Sequence, residues 1–377
     1  MKAVVVGAGI AGLAVASGLQ RAGWDVSVLE RAADSQPAPA GLSIFGNGFR
    51  ALDELGLGSA VRAISADEPP YTKSGIRKPN GRFLVTFAPT TYQNLRAVDR
   101  TELHAAMLAT LRAGSVHWGQ RVAEAGTDGV HTDDGHHAEA DLIVGADGIR
   151  SRVRASLPQD RPTRRSGYGV WRAITARPVP VGAGGETWGS GQRFGLVPLK
   201  DGRVYWFAVV TSARNETGAA ALDEVRSLFG GWHEPIAELI DATEPEAVHY
   251  THSEELDGPL RSYVHGRTVL IGDAAHAMSP NLGQGANQAL EDAATLCALL
   301  APVQDRTEIE PALHRYDRLR RPRTQRIARE SHNIGIAGQW SNPVLVWCRK
   351  TGMTLAPNWV FSRRTTRLQE WQFRSGK

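Results

Sequence analysis

The stretch Gly7-Ala8-Gly9-Ile10-Ala11-Gly12 directly follows the apolar run Ala3-Val4-Val5-Val6 and constrains the fold more than any other feature. The apolar run reads as a short buried strand. Ile10 to Leu19, with small residues on its near side, reads as a helix. Asp25-Val26-Ser27-Val28-Leu29 reads as the next strand, and Glu30 stands at its end, about 20 residues past the glycines. Strand, turn, helix and strand in this order open a parallel, doubly wound α/β sheet. Gly7 makes the tight turn, Gly9 lets the backbone approach a pyrophosphate, and Gly12 lets helix and strand pack closely. The helix start at Ile10 and Ala11 offers unpaired N–H groups and roughly half a positive charge to phosphates. Glu30 can accept hydrogen bonds from the ribose hydroxyls of an adenosine, and Arg31 beside it joins the cofactor-binding set.

A second motif decides which dinucleotide. Val269-Leu270-Ile271-Gly272-Asp273-Ala274-Ala275-His276 ends a strand on an aspartate. Ser279-Pro280-Asn281-Leu282-Gly283-Gln284-Gly285-Ala286-Asn287 then leads into a helix that is apolar at Ala289, Leu290, Ala293, Leu296 and Leu300. A carboxylate at a strand end can hold the polyol of riboflavin. A second glycine-lined helix start at Gly283, Gln284, Gly285, Ala286 and Asn287 can face the pyrimidine edge of a flavin ring. NAD needs no such second site, so the pair points to FAD. His276 reads as loop support rather than as an acid–base group.

A third motif, Gly145-Ala146-Asp147-Gly148-Ile149-Arg150-Ser151, follows the buried strand 141–144 and places Asp147 in a ligand-side loop. With the three motifs in this order, the chain resembles the class A, single-component FAD monooxygenases of the p-hydroxybenzoate hydroxylase fold. Within that class it looks most like the urate, salicylate and tetracycline hydroxylases, over nearly its whole length. The resemblance implies that the Asp147 motif serves both FAD and NAD(P)H, that Arg100 lies near FAD, and that Pro280 closes over the flavin where oxygen reacts. It also implies substrate-facing roles for Arg193 and Tyr205, which with Pro280 form the expected catalytic set. The pattern departs at Asn281, where the urate-hydroxylating relatives carry an acidic residue paired with the arginine; this argues against urate itself.

The implied reaction uses NAD(P)H as a transient co-substrate and O₂. A flavin C4a-hydroperoxide delivers OH to a phenolic, purine-like or polycyclic polyketide substrate, and the FAD is held non-covalently. No second dinucleotide fold is expected, since Gly182-Ala183-Gly184-Gly185 follows prolines and opens no helix. Other readings of the same fold are a flavin-dependent halogenase, an isoprenoid reductase, or a non-enzymatic flavoprotein that senses redox state or sequesters a ligand. The substrate face depends on one turn. A three-residue loop Lys200-Asp201-Gly202 puts Arg193 and Tyr205 on one face of a hairpin, whereas a two-residue Asp201-Gly202 turn puts them on opposite faces. Trp171, Trp188 and Trp206 either line an aromatic pocket or belong to ordinary core.

A length of 377 residues calls for about two domains. The expected division is a discontinuous FAD-binding domain (1–166 and 259–335), an inserted, mainly antiparallel β-sheet substrate domain (167–258, with part of 70–95), and a C-terminal helical segment (336–377). No run approaches the ~18 apolar residues of a membrane span, and Gly7 and Gly9 interrupt the N-terminal run before it can serve as a secretory signal. The two cysteines, Cys297 and Cys348, read as buried free thiols of a reducing cytoplasm. Arginines crowd 315–329, and others, ending in Arg374, crowd the C-terminus. A basic helix can meet nucleic acid or anionic lipid, but without a nucleic-acid motif these read as solvated helical faces that steer anionic substrates and cofactors. His136-His137 reads as a solvated turn without metal spacing. The expected partners are a small aromatic or polycyclic substrate and O₂, with no nucleic acid and no membrane span, in a monomer or homodimer.

Overall fold

The computed structural model describes residues 1–35, 40–66, 71–92, 94–158, 160–211 and 218–372, so Arg374, Pro70 and Gln93 lie outside the described residues. Its first layer is a six-stranded sheet in the order Val264–His265, Thr268–Leu270, Leu142–Gly145, Lys2–Val6, Asp25–Leu29, Val116–His117. All neighbours run parallel except the edge pair Val264–His265 and Thr268–Leu270. Val4 pairs with both Ile143 and Ser27, and Val144 with Val269. These runs of β-branched residues suit strands covered on both faces. The helices Ile10–Arg21 and Gly285–Leu300 pack side by side, so the two glycine-lined helix starts open at one cleft. Their approach is close: a Cβ built on Gly18 would lie 2.5 Å from the Cys297 sulfur.

The second layer is a seven-stranded sheet in the order His249–Leu256, Thr163–Ile174, Val204–Val210, Gln192–Pro198, Gly184–Trp188, Ser74–Arg77, Phe83–Thr86. Only Gly184–Trp188 and Ser74–Arg77 pair parallel. On its outer face Trp171, Phe194 and Trp206 are buried with Phe229, Ile236 and Leu239 of the covering helices. Trp206 donates its indole N–H to Thr243 Oγ1 at 2.9 Å. Trp171 and Trp206 are therefore core residues.

The hairpin Gln192–Pro198/Val204–Val210 settles the facing question. Arg193 pairs with Val209 and Val197 with Tyr205. Leu199 N–H donates to Arg203 O across a three-residue loop in which Gly202 has φ +82°. Directly paired residues share a face, so Arg193, Gly195, Val197, Tyr205, Phe207 and Val209 all point the same way, toward the parallel-sheet layer.

The C-terminal third holds the long helix Ile309–Gly338, then Pro343–Leu355 and Asn358–Gln369. Asn342 caps the second by accepting from Val344 N–H at 3.0 Å, and Ala356 and Pro357 separate it from the third. Two expectations need correction here. The basic row 315–329 is not wholly a solvated face, because Arg320 is only 1% exposed inside an ion-pair network. Cys348 is exposed rather than buried, because it lies on the outer side of its helix; Cys297 is buried as expected. Among the described residues no helix is long and apolar enough to cross a membrane.

Candidate active site

The first helix start is shaped by what can and cannot approach it. Gly7 (φ +102°) is pressed against Ala146, whose carbonyl oxygen would lie 2.6 Å from a Cβ there. Over Gly9 nothing lies within 4 Å of the same construction. Gly9 also begins the helix without a side-chain cap, so the first-turn N–H groups at half-buried Ile10 and Ala11 and buried Gly12 lack intrahelical acceptors. Glu30 fixes the loop with both oxygens: Oε2 accepts from Ala8 N–H and Oε1 from Ala32 N–H, each at 2.8 Å. Each oxygen retains a lone pair for a ribose hydroxyl. Arg31 is exposed. His104, which sequence reasoning missed, holds the loop from below through Nε2 and Ala8 O at 2.8 Å.

The second helix start faces the same cleft. Gly272 has φ +59° and launches Asp273, whose side chain solvent reaches through the cleft while protein crowds it elsewhere. Desolvation pushes the Asp273 carboxyl above its ordinary pKa, and the charges of His276 and Arg100 pull it back. The exposed Arg100, at the start of Arg100–Leu108, thus acts electrostatically on Asp273. Exposed Pro280 opens the short turn Pro280–Leu282, and Gly283 follows in the left-handed region. Nothing lies within 4 Å of a Cβ on Gly285, and Gln284 does not cap the helix with its side chain. The N–H groups of Gly285, Ala286 and Asn287 are therefore presented to the cleft.

The side chains of Gln284 and Asn287 turn inward instead. Asn287 Oδ1 accepts from Phe45 N–H at 2.9 Å, and its Nδ2 donates to Ser43 O and Gly283 O at 3.0 Å each. Gln284 Oε1 accepts from Asn47 at 3.0 Å and from Gln288 at 3.1 Å. Both residues clip the loop to the strand Gly41–Ile44 and its following helix, so a ligand in the cleft could meet only their main-chain groups. Asp147 divides its work: Oδ2 accepts from Arg152 N–H at 2.7 Å, and buried Oδ1 has no hydrogen-bond partner in the structure. A buried unpaired carboxylate oxygen beside Gly7 is an acceptor waiting for a donor.

Beneath the second motif lies an ionic network that sequence reasoning missed. Asp292 Oδ2 accepts from Gly272 N–H at 3.0 Å and pairs with His276 Nε2 at 2.5 Å, and Oδ1 accepts from Arg320 at 2.7 Å. Glu291 pairs with Arg320, and with Arg323 at 2.8 Å. Burial raises both carboxyls, but Arg320 with Arg323 on Glu291, and His276 with Arg320 on Asp292, outweigh it and hold both below the ordinary range. The signal was available: two adjacent acids stand in the apolar helix Ala289-Leu290-Glu291-Asp292-Ala293.

On the sheet side, Arg193 is 2% exposed. Its Nη2 donates to Asn281 Oδ1 at 2.5 Å, its Nε donates to Gln339 Oε1 at 3.3 Å, and Nη1 lies 3.5 Å from Glu186. Trp188 and Tyr168 flank the guanidinium at 5.7 and 5.9 Å. Asn281 Nδ2 in turn donates to Tyr168 Oη at 2.8 Å. Tyr205 packs on Gly41, where a Cβ would meet its ring at 2.2 Å. Burial raises the Tyr205 hydroxyl's pKa against the opposing charge of Arg172. Half-buried Phe207 lies between Tyr205 and the cluster Tyr168, Val170 and Val209. The structure thus joins Arg193 to the Pro280 loop and puts Tyr205 on the same face.

A parallel sheet with two convergent, uncapped, glycine-lined helix starts, an acceptor for the ribose and a carboxylate for the polyol define a flavin-dinucleotide-binding protein, and the residues present fit FAD. The chain belongs to the FAD binding domain family, whose model matches residues 1–331. It is 34% identical over 376 residues to aurachin C monooxygenase/isomerase of Stigmatella aurantiaca, covering 97% of this chain and 96% of that one. It is 36% identical over 379 residues to 2-heptyl-3-hydroxy-4(1H)-quinolone synthase of Pseudomonas aeruginosa, covering 95% of each. Among solved structures, Klebsiella pneumoniae HpxO complexed with FAD and uric acid matches with a TM-score of 0.87 and 27% identity, over 98% of this chain and 96% of that one. The protein is an FAD-dependent enzyme of the class A aromatic monooxygenases, with the p-hydroxybenzoate hydroxylase fold.

Proposed function

We propose that the protein uses NAD(P)H and O₂ to hydroxylate a flat, electron-rich N-heteroaromatic compound of the 4-quinolone type. In this reading the substrate lies between the Arg193–Tyr205 face of the seven-stranded sheet and the bound flavin. When bound, FAD supplies the two-electron reduction and the activation of oxygen. The observation that carries the reading is the make-up of that face: half-buried Val197 and Phe207 offer flat apolar contact beside buried Tyr205 and Val209, with Arg193 tied to the loop at Pro280. Such a surface orients a planar ring with few polar groups. A quinolone is preferred to urate because a full-length relative is named for a 3-hydroxy-4-quinolone product, and because Asn281 gives Arg193 an amide partner.

In this account the chain's residues bind, orient and exclude water. The N–H groups of Gly285 and Ala286 would hold the pyrimidine edge of the flavin, Asp273 the polyol and Glu30 the ribose. Pro280 would lie over the ring. Arg193 fixes Asn281 and with it the height of the proline loop, so its effect on substrate runs through position. Tyr205, whose hydroxyl burial holds above its ordinary pKa, lies on the same face as Arg193. The test is NAD(P)H oxidation by FAD-loaded protein with 4-quinolones, aminohydroxybenzoates and urate. Stimulation by quinolones, with a product heavier by one oxygen, supports the reading. Stimulation by urate alone overturns the substrate class.

A further inference from the structure

The two C-terminal helices carry an outward face that the oxidative site does not use. In Pro343–Leu355, residues Val344, Trp347, Cys348 and Leu355 share one side at helical spacing, while Val346, Arg349 and Met353 are buried on the other. Val344 and Trp347 are each 66% exposed and Leu355 is 77% exposed. In Asn358–Gln369, Trp359 is 59% exposed, with Val360 exposed beside it. Isolated exposed apolar residues are ordinary, but a set of this size on two consecutive helices, both packed on the strand Phe83–Thr86, marks a contact surface.

The charge around the patch identifies the contact. Residues 331–369 contain no aspartate or glutamate, yet carry Arg349, Lys350, Arg363, Arg364 and Arg367. Arg349 is buried and Arg364 lies 3.4 Å from Glu330. Arg363 and Arg367 are exposed one turn apart, and Arg363 sits 5.3 Å over the Trp359 ring. Together with Phe87, Trp359 and Ser362 they line a groove of about 560 Å³, with Glu370 at its end. A second copy of the chain would set these cations against their own kind. An anionic bilayer surface complements them, and it accepts tryptophan and aliphatic side chains at headgroup depth.

We propose that the outward face of Pro343–Leu355 and Asn358–Gln369, led by Trp347, Leu355 and Trp359 with Arg363 and Arg367, docks the enzyme on the surface of an anionic lipid bilayer without crossing it. This goes beyond the proposed oxidation and does not depend on it.

The test is co-sedimentation of the FAD-loaded protein with phosphatidylcholine vesicles, with and without phosphatidylglycerol. Partitioning should rise about ten-fold or more when phosphatidylglycerol is present and fall as salt is added. The double variant Trp347→Ser/Leu355→Ser should lose binding and keep its FAD content. Arg363→Gln/Arg367→Gln should lose the preference for the anionic lipid. Absent or equal binding to both vesicle types overturns the proposal. So does a dimer in solution that the Trp347→Ser/Leu355→Ser variant dissociates, because the patch would then be covered by a second copy.

Discussion

Arg193 on the seven-stranded sheet donates to the Asn281 amide at 2.5 Å, one residue past the proline that opens the flavin-side loop. The contact joins the seven-stranded sheet to the parallel-sheet layer. Gly335 and Gly338 of the long helix close over it so tightly that a Cβ on Gly338 would lie 3.1 Å from Arg193 Cδ. A shift of about 1 Å in a positioned group can cost a hundred-fold in rate. Arg193→Met is therefore expected to keep FAD content and to lower kcat/KM ten- to hundred-fold, roughly. Hydrogen peroxide released per NAD(P)H should rise, since a misplaced substrate fails to capture activated oxygen. Unchanged coupling with a lowered melting temperature would make Arg193 a purely structural residue.

Asp273 is an exposed carboxylate at the cleft, and desolvation by the protein around it raises its pKa despite the opposing charges of His276 and Arg100. Donors from a flavin polyol would satisfy it. Asp273→Ala is expected to weaken FAD binding at least ten-fold, about 1.4 kcal/mol, read by fluorescence titration of the apoprotein. An unchanged affinity in a folded variant removes Asp273 from the site.

The ionic network under Gly272 is the most costly feature of the cofactor layer to break. Arg320→Met leaves Glu291 and Asp292 buried with reduced compensation, which is expected to cost about 3–5 kcal/mol of stability. The pH dependence has a definite sign. Both carboxyls titrate below their ordinary values in the folded protein, so their stabilisation is complete above about pH 5 and is lost as pH falls through the ordinary and then the lowered values. Melting temperature against pH should begin to drop below about pH 5 in the native chain and drop less in Arg320→Met. An unchanged neutral-pH melting temperature in the variant would contradict this.

The two thiols should separate cleanly. Burial pushes the Cys297 thiol up to about 12, so almost none is thiolate at neutral pH, whereas Cys348 is exposed. A disulfide reagent should titrate Cys348 alone in the native protein and both cysteines after denaturation. Rapid native modification of Cys297 would show that the packing of the two glycine-lined helices opens readily.

The cofactor half of the molecule was legible in the sequence because backbone chemistry dictates it. Gly7, Gly9, Gly12, Gly272 and Gly285 are glycines for reasons of approach and turn geometry, and those reasons are local. What escaped was long-range. Nothing near Asp292 announces Arg320, 28 residues away, although an acidic pair inside an apolar helix asks for a partner. The inward turn of Gln284 and Asn287 depends on Asn47 and Phe45, more than 200 residues distant. The facing of Arg193 and Tyr205 hung on one residue of loop length, which sequence left open and the Leu199–Arg203 bond decides. Cys348 was misjudged because an apolar helix reads as buried until its partner is known.

The central claim is that this chain places one atom of O₂ on an aromatic substrate at a flavin held between its two layers. The direct measurement incubates the FAD-loaded enzyme with NAD(P)H, isotopically labelled O₂ and 4-quinolones, and weighs the products. The account predicts a hydroxylated product carrying one labelled oxygen, formed only with both reductant and FAD present. A product whose new oxygen comes from water, or NAD(P)H consumption that yields only hydrogen peroxide with every aromatic offered, would contradict it.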